Sequence, residues 1–222
     1  MTHFRKIREQ VDQIAGASGR DPAEITLIAV SKNQTVESIK RAYDEGCRNF
    51  GENRLQEAIE KVNLLPADII WHFIGNLQSN KVSKTMTHFP LIHSVDSLPL
   101  AEKISALSVK NVHIQRILLE INILGETAKH GFSINECQAN LDKLLLLPNL
   151  AIEGFMAMAP LTEDANVIRT CFRNLRMLKD NFRERANHPS WFRHLSMGMS
   201  QDYPIAIEEG ATLLRIGSAI FK

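Results

Sequence analysis

The sequence predicts a single (β/α)8 barrel of the TIM-barrel type, preceded by one extra N-terminal helix. Three observations support this fold class. Short apolar segments alternate with amphipathic segments along the 222 residues. The first strand is a continuous apolar run, as expected for a parallel sheet covered on both faces. Eight units leave about 25 residues for each strand, helix and pair of short loops. A doubly wound sheet is the alternative.

The elements follow in order from apolar spacing and from capping residues. Phe4, Ile7, Val11 and Ile14 mark the buried face of the extra helix, which Asp21-Pro22 ends. The predicted strands are 25–30, about 48–50, 69–74, 91–95, 114–121, 151–155, about 192–195 and 213–216. The predicted helices between them are 36–45, 53–62, 78–85, 98–107, 134–147 and 165–185. Thr35 is the expected N-cap of the first of these helices, and Gly46 its expected stop.

The composition excludes several classes of protein. The chain has 26 Lys and Arg against 25 Asp and Glu, so no net charge favours nucleic acid or an anionic membrane as a partner. With 44% hydrophobic and 23% charged residues, it is neither disordered nor fibrous. No linker, low-complexity tract or repeat interrupts it. We therefore expect one domain, residues 1–222.

The cysteines and the N-terminus predict a cellular location. Cys47, Cys137 and Cys171 are odd in number and lack metal-ligand spacing, so neither a disulfide framework nor a metal site is expected. The first 20 residues carry charges throughout and do not resemble a signal peptide. No apolar stretch is long enough to span a bilayer. The sequence thus predicts a cytoplasmic protein.

In a barrel, the active site gathers at the carboxyl ends of the strands, and phosphate groups bind after strands seven and eight. Here these two segments supply Ser196 to Ser200 and Gly217-Ser218. Backbone amides and hydroxyls of Gly and Ser suit a phosphate. Either segment alone is more simply explained as a turn. Together, at adjacent positions, they favour a phosphate site.

Lys32 is the second candidate feature, because it directly follows the first apolar strand. A lysine there is most often solvated surface, but a desolvated amine is a Schiff-base nucleophile. The lysine and the phosphate site together indicate a ligand that has both an aldehyde and a phosphate group. Pyridoxal 5′-phosphate (PLP) is the first candidate, and a sugar phosphate on an aldolase lysine is the second.

The same segments carry a family resemblance. They are AVSK (29–32), FGENRLQE (50–57), WHFIG (71–75), LQSNK (77–81), GFMAM (154–158), LSMGMS (195–200) and LRIGS (214–218). In this order they resemble the PLP homeostasis protein family, the YggS-like proteins, which is related to the N-terminal barrel of alanine racemase. The resemblance extends from the first helix to the last residues.

The resemblance implies roles for individual residues. Lys32 would form the aldimine with PLP, and Arg215 would face the pyridine nitrogen. The phosphate would be held by Ser196, Gly217 and Ser218, with Met199 and Ser200 contributing. Asn53 and His72 would lie near the ring. For His72, a hydrogen-bonded core histidine is an equally good interpretation.

Three other groups of residues have alternative explanations. Glu52, Glu57 and Glu60, beside Arg54 and Lys61, are expected to form a solvated helix face and not acid–base groups. Exposed lysines, among them Lys61, Lys81 and Lys84, could form a weaker second PLP site. Residues 126–132 are expected to form a loop that folds over the barrel mouth.

The resemblance and the residue inventory together favour a binding function. An arginine at the ring nitrogen cannot accept a proton, which weakens the electron sink that PLP enzymes exploit. A racemase also needs a second acid–base group, and the two tyrosines are Tyr43, away from the mouth, and Tyr203, near it. We expect a monomeric or weakly dimeric carrier that acts in PLP homeostasis and delivers PLP to apo-enzymes. An amino-acid racemase and a Schiff-base aldolase are the alternatives.

Overall fold

The computed structural model describes residues 2–125, 130–186, 188 and 190–222. In this part of the chain, parallel strands β1 to β8 pair in chain order, and β8 pairs with β1 to close a barrel. The strands are β1 (Thr26–Val30), β2 (Asn49–Glu52), β3 (Ile70–Phe73), β4 (Leu91–Val95), β5 (Gln115–Glu120), β6 (Leu150–Met156), β7 (His194–Ser196) and β8 (Leu213–Ile216). The predicted fold class is confirmed.

The helices surround the barrel. They are α1 (Phe4–Ala17), α2 (Val36–Asp44), α3 (Leu55–Val62), α4 (Val82–His88), α5 (Leu98–Lys110), α6 (Ile134–Leu145), α7 (Ala165–Arg185), α8 (Tyr203–Glu208) and α9 (Ser218–Phe221). The extra helix α1 packs against α8 and α9, and the His3 amide donates to the Ile220 carbonyl at 2.9 Å. Within the described residues, no helix has the length and apolar character needed to cross a membrane.

Some predicted helix boundaries were wrong. The helix predicted from residue 53 begins at Leu55, because Arg54 still has extended backbone angles. The helix predicted at 78–85 is a 3-10 turn, Ser79–Lys81, followed by α4. The short helices α8 and α9 were not predicted, since six and four residues are too few to show a helical apolar period. The cap at Thr35 is confirmed by a 3.2 Å bond from the Ser38 amide.

Apolar side chains fill two separate spaces. A large core lies between sheet and helices and includes Leu27 and Ala29 of β1. A smaller cluster takes one side chain from each of five strands: Ile28, Leu91, Leu118, Met156 and Leu213. Since successive side chains of a strand point to opposite faces, this smaller cluster lies inside the barrel.

A chain of buried polar side chains also crosses the barrel interior. Arg215 Nη1 lies 2.6 Å from Ser196 Oγ, which lies 2.8 Å from His93 Nδ1. His93 Nε2 lies 3.0 Å from His72 Nδ1, and His72 Nε2 lies 3.0 Å from Asn49 Oδ1. We call these five residues the interior chain. It connects β8, β7, β4, β3 and β2.

The donors of this interior chain can be assigned from the asparagine at its end. Asn49 Oδ1 only accepts, so His72 Nε2 donates to it. With both imidazoles neutral, His72 Nδ1 then accepts from His93 Nε2, and His93 Nδ1 accepts from the Ser196 hydroxyl. Ser196 Oγ also accepts from Arg215, whose guanidinium only donates.

Burial agrees with this protonation state. Desolvation, helped by the Arg116 and His194 charges, lowers the pKa of His72 to about 3. Desolvation also holds the pKa of His93 well below its ordinary value and lowers that of His194 to about 4. In the unfolded chain, by contrast, each imidazole takes up a proton near its ordinary pKa of about 6.5.

We predict that acid destabilises the fold through these histidines. As the pH falls below about 6.5, the unfolded chain binds up to three protons that the folded chain does not bind. The free energy of unfolding therefore falls by about 2–4 kcal/mol per pH unit near pH 5. Raised pKa values of Glu120 and Asp202 offset part of this loss. Urea unfolding from pH 7 to pH 5 measures the slope. His113→Gln, at an exposed position, is the control; a constant free energy would contradict the prediction.

Gly75, after β3, is required by a close approach of two backbones. A Cβ built there would lie 2.1 Å from the Asn53 carbonyl oxygen and 2.7 Å from Asn53 Cα. The segment after β3 thus packs directly on the segment after β2. Because both partners are backbone, neither can turn aside to make room.

We predict that Gly75→Ala lowers the free energy of unfolding by about 2–3 kcal/mol, since the added methyl group must displace the Asn53 backbone. The matched control is Gly16→Ala in α1, where a Cβ meets no atom within 4 Å. There we expect a gain of up to about 1 kcal/mol from lower backbone entropy. Chemical denaturation measures both, and equal effects would contradict the prediction.

Candidate functional site

The predicted ligand residues occupy two levels of the barrel. Six of them follow strand ends at its C-terminal mouth: Lys32, Asn53, Met199, Ser200, Gly217 and Ser218. Three lie on strands: His72 on β3, Ser196 on β7 and Arg215 on β8. The structure therefore brings the first set to one face and places the second set below it, inside the barrel.

Lys32 is the second residue of a tight turn after β1. The Gln34 amide donates to the Ser31 carbonyl at 3.0 Å and closes the turn, while Asn33 has a left-handed φ of 61°. Asparagine is well suited to that position of such a turn. The Lys32 side chain is exposed. The turn therefore presents an accessible amine beside the mouth.

Two residues next to this turn correct the sequence interpretation. Glu52 and Lys61 do not form a solvated face, because their side chains are 0% and 10% exposed. Lys61 Nζ donates to Glu52 Oε1 at 2.7 Å and to the Ser31 carbonyl at 2.9 Å. Ser31 Oγ donates to the same Glu52 oxygen at 2.7 Å. Lys61 is thus not one of the exposed lysines suggested for a second PLP site.

The segments after β7 and β8 meet next to the Lys32 turn. A Cβ at Gly217 would lie 3.3 Å from both the Cβ and the carbonyl oxygen of Val30, the last residue of β1. Ser200 Oγ accepts from the Ala219 amide at 3.4 Å and joins the two segments. The Gly217 and Ser218 backbone therefore lies within reach of a group bound at Lys32.

The backbone amide of Met199 is engaged within the protein. That amide already donates to Asp202 Oδ1 at 2.6 Å, so it is committed within the protein. Desolvation raises the pKa of Asp202, which is buried behind the turn. The Met199 side chain is partly exposed at the mouth. It can line a ligand, while its amide supports the turn.

Arg215 places a positive charge below the mouth. Its side chain is 5% exposed and donates to Ser196 Oγ at 2.6 Å and to the Ala157 carbonyl at 3.0 Å. Desolvation lowers its pKa to about 10, against the opposing charges of Glu120 and Asp202, so it is charged at neutral pH. A guanidinium has five N–H groups, and these bonds use two of them. The other three make no hydrogen bond within the described residues.

The alternative interpretations of His72 are now distinguishable. Both of its ring nitrogens are occupied, one by Asn49 and one by His93, and it is buried. It is a hydrogen-bonded core histidine. Its partner His93 was not predicted as part of the site, because one histidine within the apolar run LIHSV carries no distinguishing signal in sequence.

The side of the mouth opposite β1 holds a small, open cleft. It is lined by Glu120, Ile121, Asn122, Ile123, Leu124, His130 and Met158. Glu120 is 7% exposed, and desolvation together with Asp96 raises its pKa. Residues 126–129 of the expected covering loop lie outside the described residues.

Neither tyrosine hydroxyl is directed to the mouth. Tyr203 Oη lies 3.1 Å from Gln10 Oε1 on α1, and Tyr43 Oη donates to Asp68 Oδ1 at 2.7 Å. Both contacts are outside the barrel. The acid–base role that Tyr203 would need in a racemase is therefore not supported by its position.

Comparison with known proteins agrees with the fold and with the sequence motifs. A family model described as alanine racemase, N-terminal domain, matches residues 3–222. Relatives named pyridoxal phosphate homeostasis protein include one from Aquifex aeolicus, 38% identical over 97% of this chain and 94% of its own length. Another, from Escherichia coli K12, is 35% identical over 99% of this chain and 94% of its own length.

Solved structures give the same result. PipY of Synechococcus elongatus without PLP superposes with a TM-score of 0.86 at 38% identity, covering 96% of this chain and 99% of PipY. PipY with PLP bound gives a TM-score of 0.83 at 37% identity over the same shares. An alanine racemase of Clostridium difficile shares the fold at 15% identity and a TM-score of 0.72, over 99% of this chain and 59% of the racemase. The chain therefore belongs to the pyridoxal phosphate homeostasis protein family, whose barrel is that of the alanine racemase N-terminal domain.

Proposed function

We propose that this chain binds PLP at the barrel mouth and acts in PLP homeostasis as a carrier. One observation carries the proposal: the exposed Lys32 turn, the Gly217-Ser218 backbone and the buried Arg215 charge converge on one mouth. PLP offers an aldehyde, a phosphate and a ring nitrogen, and these three features suit the three groups. Relatives named for PLP homeostasis, and PipY with PLP bound, support the assignment.

Each residue has a distinct part in this proposal. Lys32 condenses with the aldehyde of PLP, releasing water and forming a reversible Schiff base. Ser218, Gly217 and Ser200 hold the phosphate with neutral donors. Arg215 donates to the ring nitrogen and keeps it unprotonated, since it cannot give up its own proton at neutral pH. Asn53 lies at the mouth, where its amide can contact the ring.

Ser196 takes a different part from the one that the family resemblance implied. Its hydroxyl is fully buried, accepts from Arg215 and donates to His93. We propose that it holds the Arg215 guanidinium below the ring and that the phosphate relies on Ser218, Gly217 and Ser200. His72, two bonds further along the interior chain, supports the same arrangement without touching the ligand.

A binding function is favoured over catalysis. A racemase needs acid–base groups on both faces of its substrate, and both tyrosine hydroxyls bond to partners outside the barrel. Delivery of PLP to apo-enzymes, a monomeric or weakly dimeric state and a cytoplasmic location complete the proposal. The three cysteines are buried, as suits a reducing compartment.

The first prediction from this proposal concerns the Lys32 adduct. Purified protein with PLP should show the absorbance of a Schiff base, and borohydride should fix the adduct on Lys32. Lys32→Ala should lose both, whereas Lys103→Ala, at an exposed position on α5, should retain them.

Three outcomes would redirect the assignment. An adduct distributed over other lysines would contradict the role of Lys32. Exchange of an amino acid's α-hydrogen with solvent would indicate the racemase alternative. Trapping of a keto sugar phosphate on Lys32, without any PLP adduct, would indicate the aldolase alternative.

The second prediction separates the roles of Ser196 and Ser218. Ser218→Ala should weaken PLP binding by about tenfold through a lost phosphate hydrogen bond, and leave pyridoxal, which has no phosphate, unaffected. Ser196→Ala should weaken PLP and pyridoxal by the same factor, because it releases Arg215. Absorbance titrations of each variant with PLP and with pyridoxal give four ratios of variant to wild-type dissociation constants. If Ser196→Ala weakened the binding of PLP but not that of pyridoxal, Ser196 would instead be a ligand of the phosphate.

A further inference from the structure

The backbone before Lys32 is held from outside the barrel by a buried ion pair. Side-chain alternation along β1 puts Ile28 inside the barrel and Ala29 outside. By the same alternation Ser31 faces outward, where it meets Glu52 and Lys61. We call these three residues the Ser31 anchor.

The Ser31 carbonyl is the key atom of this anchor. It accepts two hydrogen bonds, one from Lys61 Nζ at 2.9 Å and one from the Gln34 amide at 3.0 Å that closes the turn. A carbonyl held by two donors fixes the plane of the Ser31–Lys32 peptide. The direction in which the Lys32 side chain leaves the backbone is fixed with it.

Stability alone does not explain a charged pair at this position. Removing two charges from water costs free energy that their mutual attraction only partly returns, and apolar pairs of similar volume often stabilise more. Glu52 Oε2 is buried with no hydrogen-bond partner among the described residues, so the carboxylate is only half satisfied. A pair retained at such a cost is best explained by the geometry it imposes.

We propose that Glu52 and Lys61 are positioning residues that set the orientation of Lys32 for bond formation with an aldehyde. The inference rests on the proposed function for the role of Lys32, but not for the anchor itself. It assigns a role to two residues that touch neither the ligand nor the mouth. Losing the anchor should slow Schiff-base formation by about tenfold or more, because a displacement of about 1 Å at a reacting group has effects of that size.

The test uses a neutral replacement of the pair. Lys61→Met alone leaves the Glu52 carboxylate buried without a partner and can prevent folding. The double variant Glu52→Gln, Lys61→Met buries no charge and keeps an acceptor for Ser31 Oγ. Lys103→Met, at an exposed position on α5, is the control for loss of a lysine.

Two measurements are compared in each protein. The first, without any PLP, is hydrogen exchange of the Gln34 amide, which reports whether the Ser31 carbonyl still holds the turn. The second is the rate constant for absorbance growth with PLP. In the double variant we expect unchanged unfolding midpoints, exchange at Gln34 at least about tenfold faster, and Schiff-base formation slower by a similar factor.

The outcomes separate this inference from the proposed function. If the Gln34 amide exchanged faster but Schiff-base formation kept its rate, the anchor would be merely structural and the inference would be overturned. Unchanged exchange of the Gln34 amide would also overturn it, whatever the rate of Schiff-base formation. If the wild type forms no adduct on Lys32, the proposed function fails, and the exchange experiment still decides whether the anchor holds the turn.

Discussion

The buried charge of Arg215 is the constraint on which the barrel interior depends. A guanidinium only donates hydrogen bonds and remains charged at this depth. Every group that touches it must therefore accept, beginning with Ser196 Oγ and the Ala157 carbonyl. The other end of the interior chain is Asn49 Oδ1, which also only accepts, so each neutral imidazole between the two ends carries its proton on Nε2. The same charge explains why the space holds polar side chains where most barrels pack apolar ones.

A second buried charge organises the outside of the sheet. Lys61 lies behind β1 and β2 and is compensated by Glu52, whereas Arg215 lies inside the barrel and is compensated by dipoles and by the more distant Glu120 and Asp202. Lys61 holds the backbone next to Lys32 from outside the sheet, and in the function proposed above Arg215 would face the ligand from inside the barrel. Because both are buried, salt screens them little, and each keeps its geometry.

The sequence predicted the parts of this arrangement that are periodic or local. Strands such as β1 are continuous apolar runs, and their ends locate Lys32 and Gly217 at the mouth without further information. It could not predict pairs that join distant elements: Glu52 ends a strand, Lys61 lies in a helix, and charges so spaced normally face water. For the same reason His93 was missed, and the bonds of Ser196 to Arg215 and His93 could not be foreseen, since these contacts join β7 to β8 and β4. The Gly75–Asn53 contact, again between two loops, became visible only in three dimensions.

The distribution of charge also bears on why a carrier, and not a tight enzyme site, is the better description. The segments that would hold the phosphate, residues 197–203 and 217–221, contain no lysine or arginine. Neutral amides and hydroxyls bring no positive charge to a phosphate, so they lack the Coulomb attraction that a cationic clamp adds. Asp202 and Glu120 flank Arg215 and limit the positive potential at the mouth. In the function proposed above, such a site would hold PLP through a reversible covalent bond and a neutral cradle, and hydrolysis of that bond would release it.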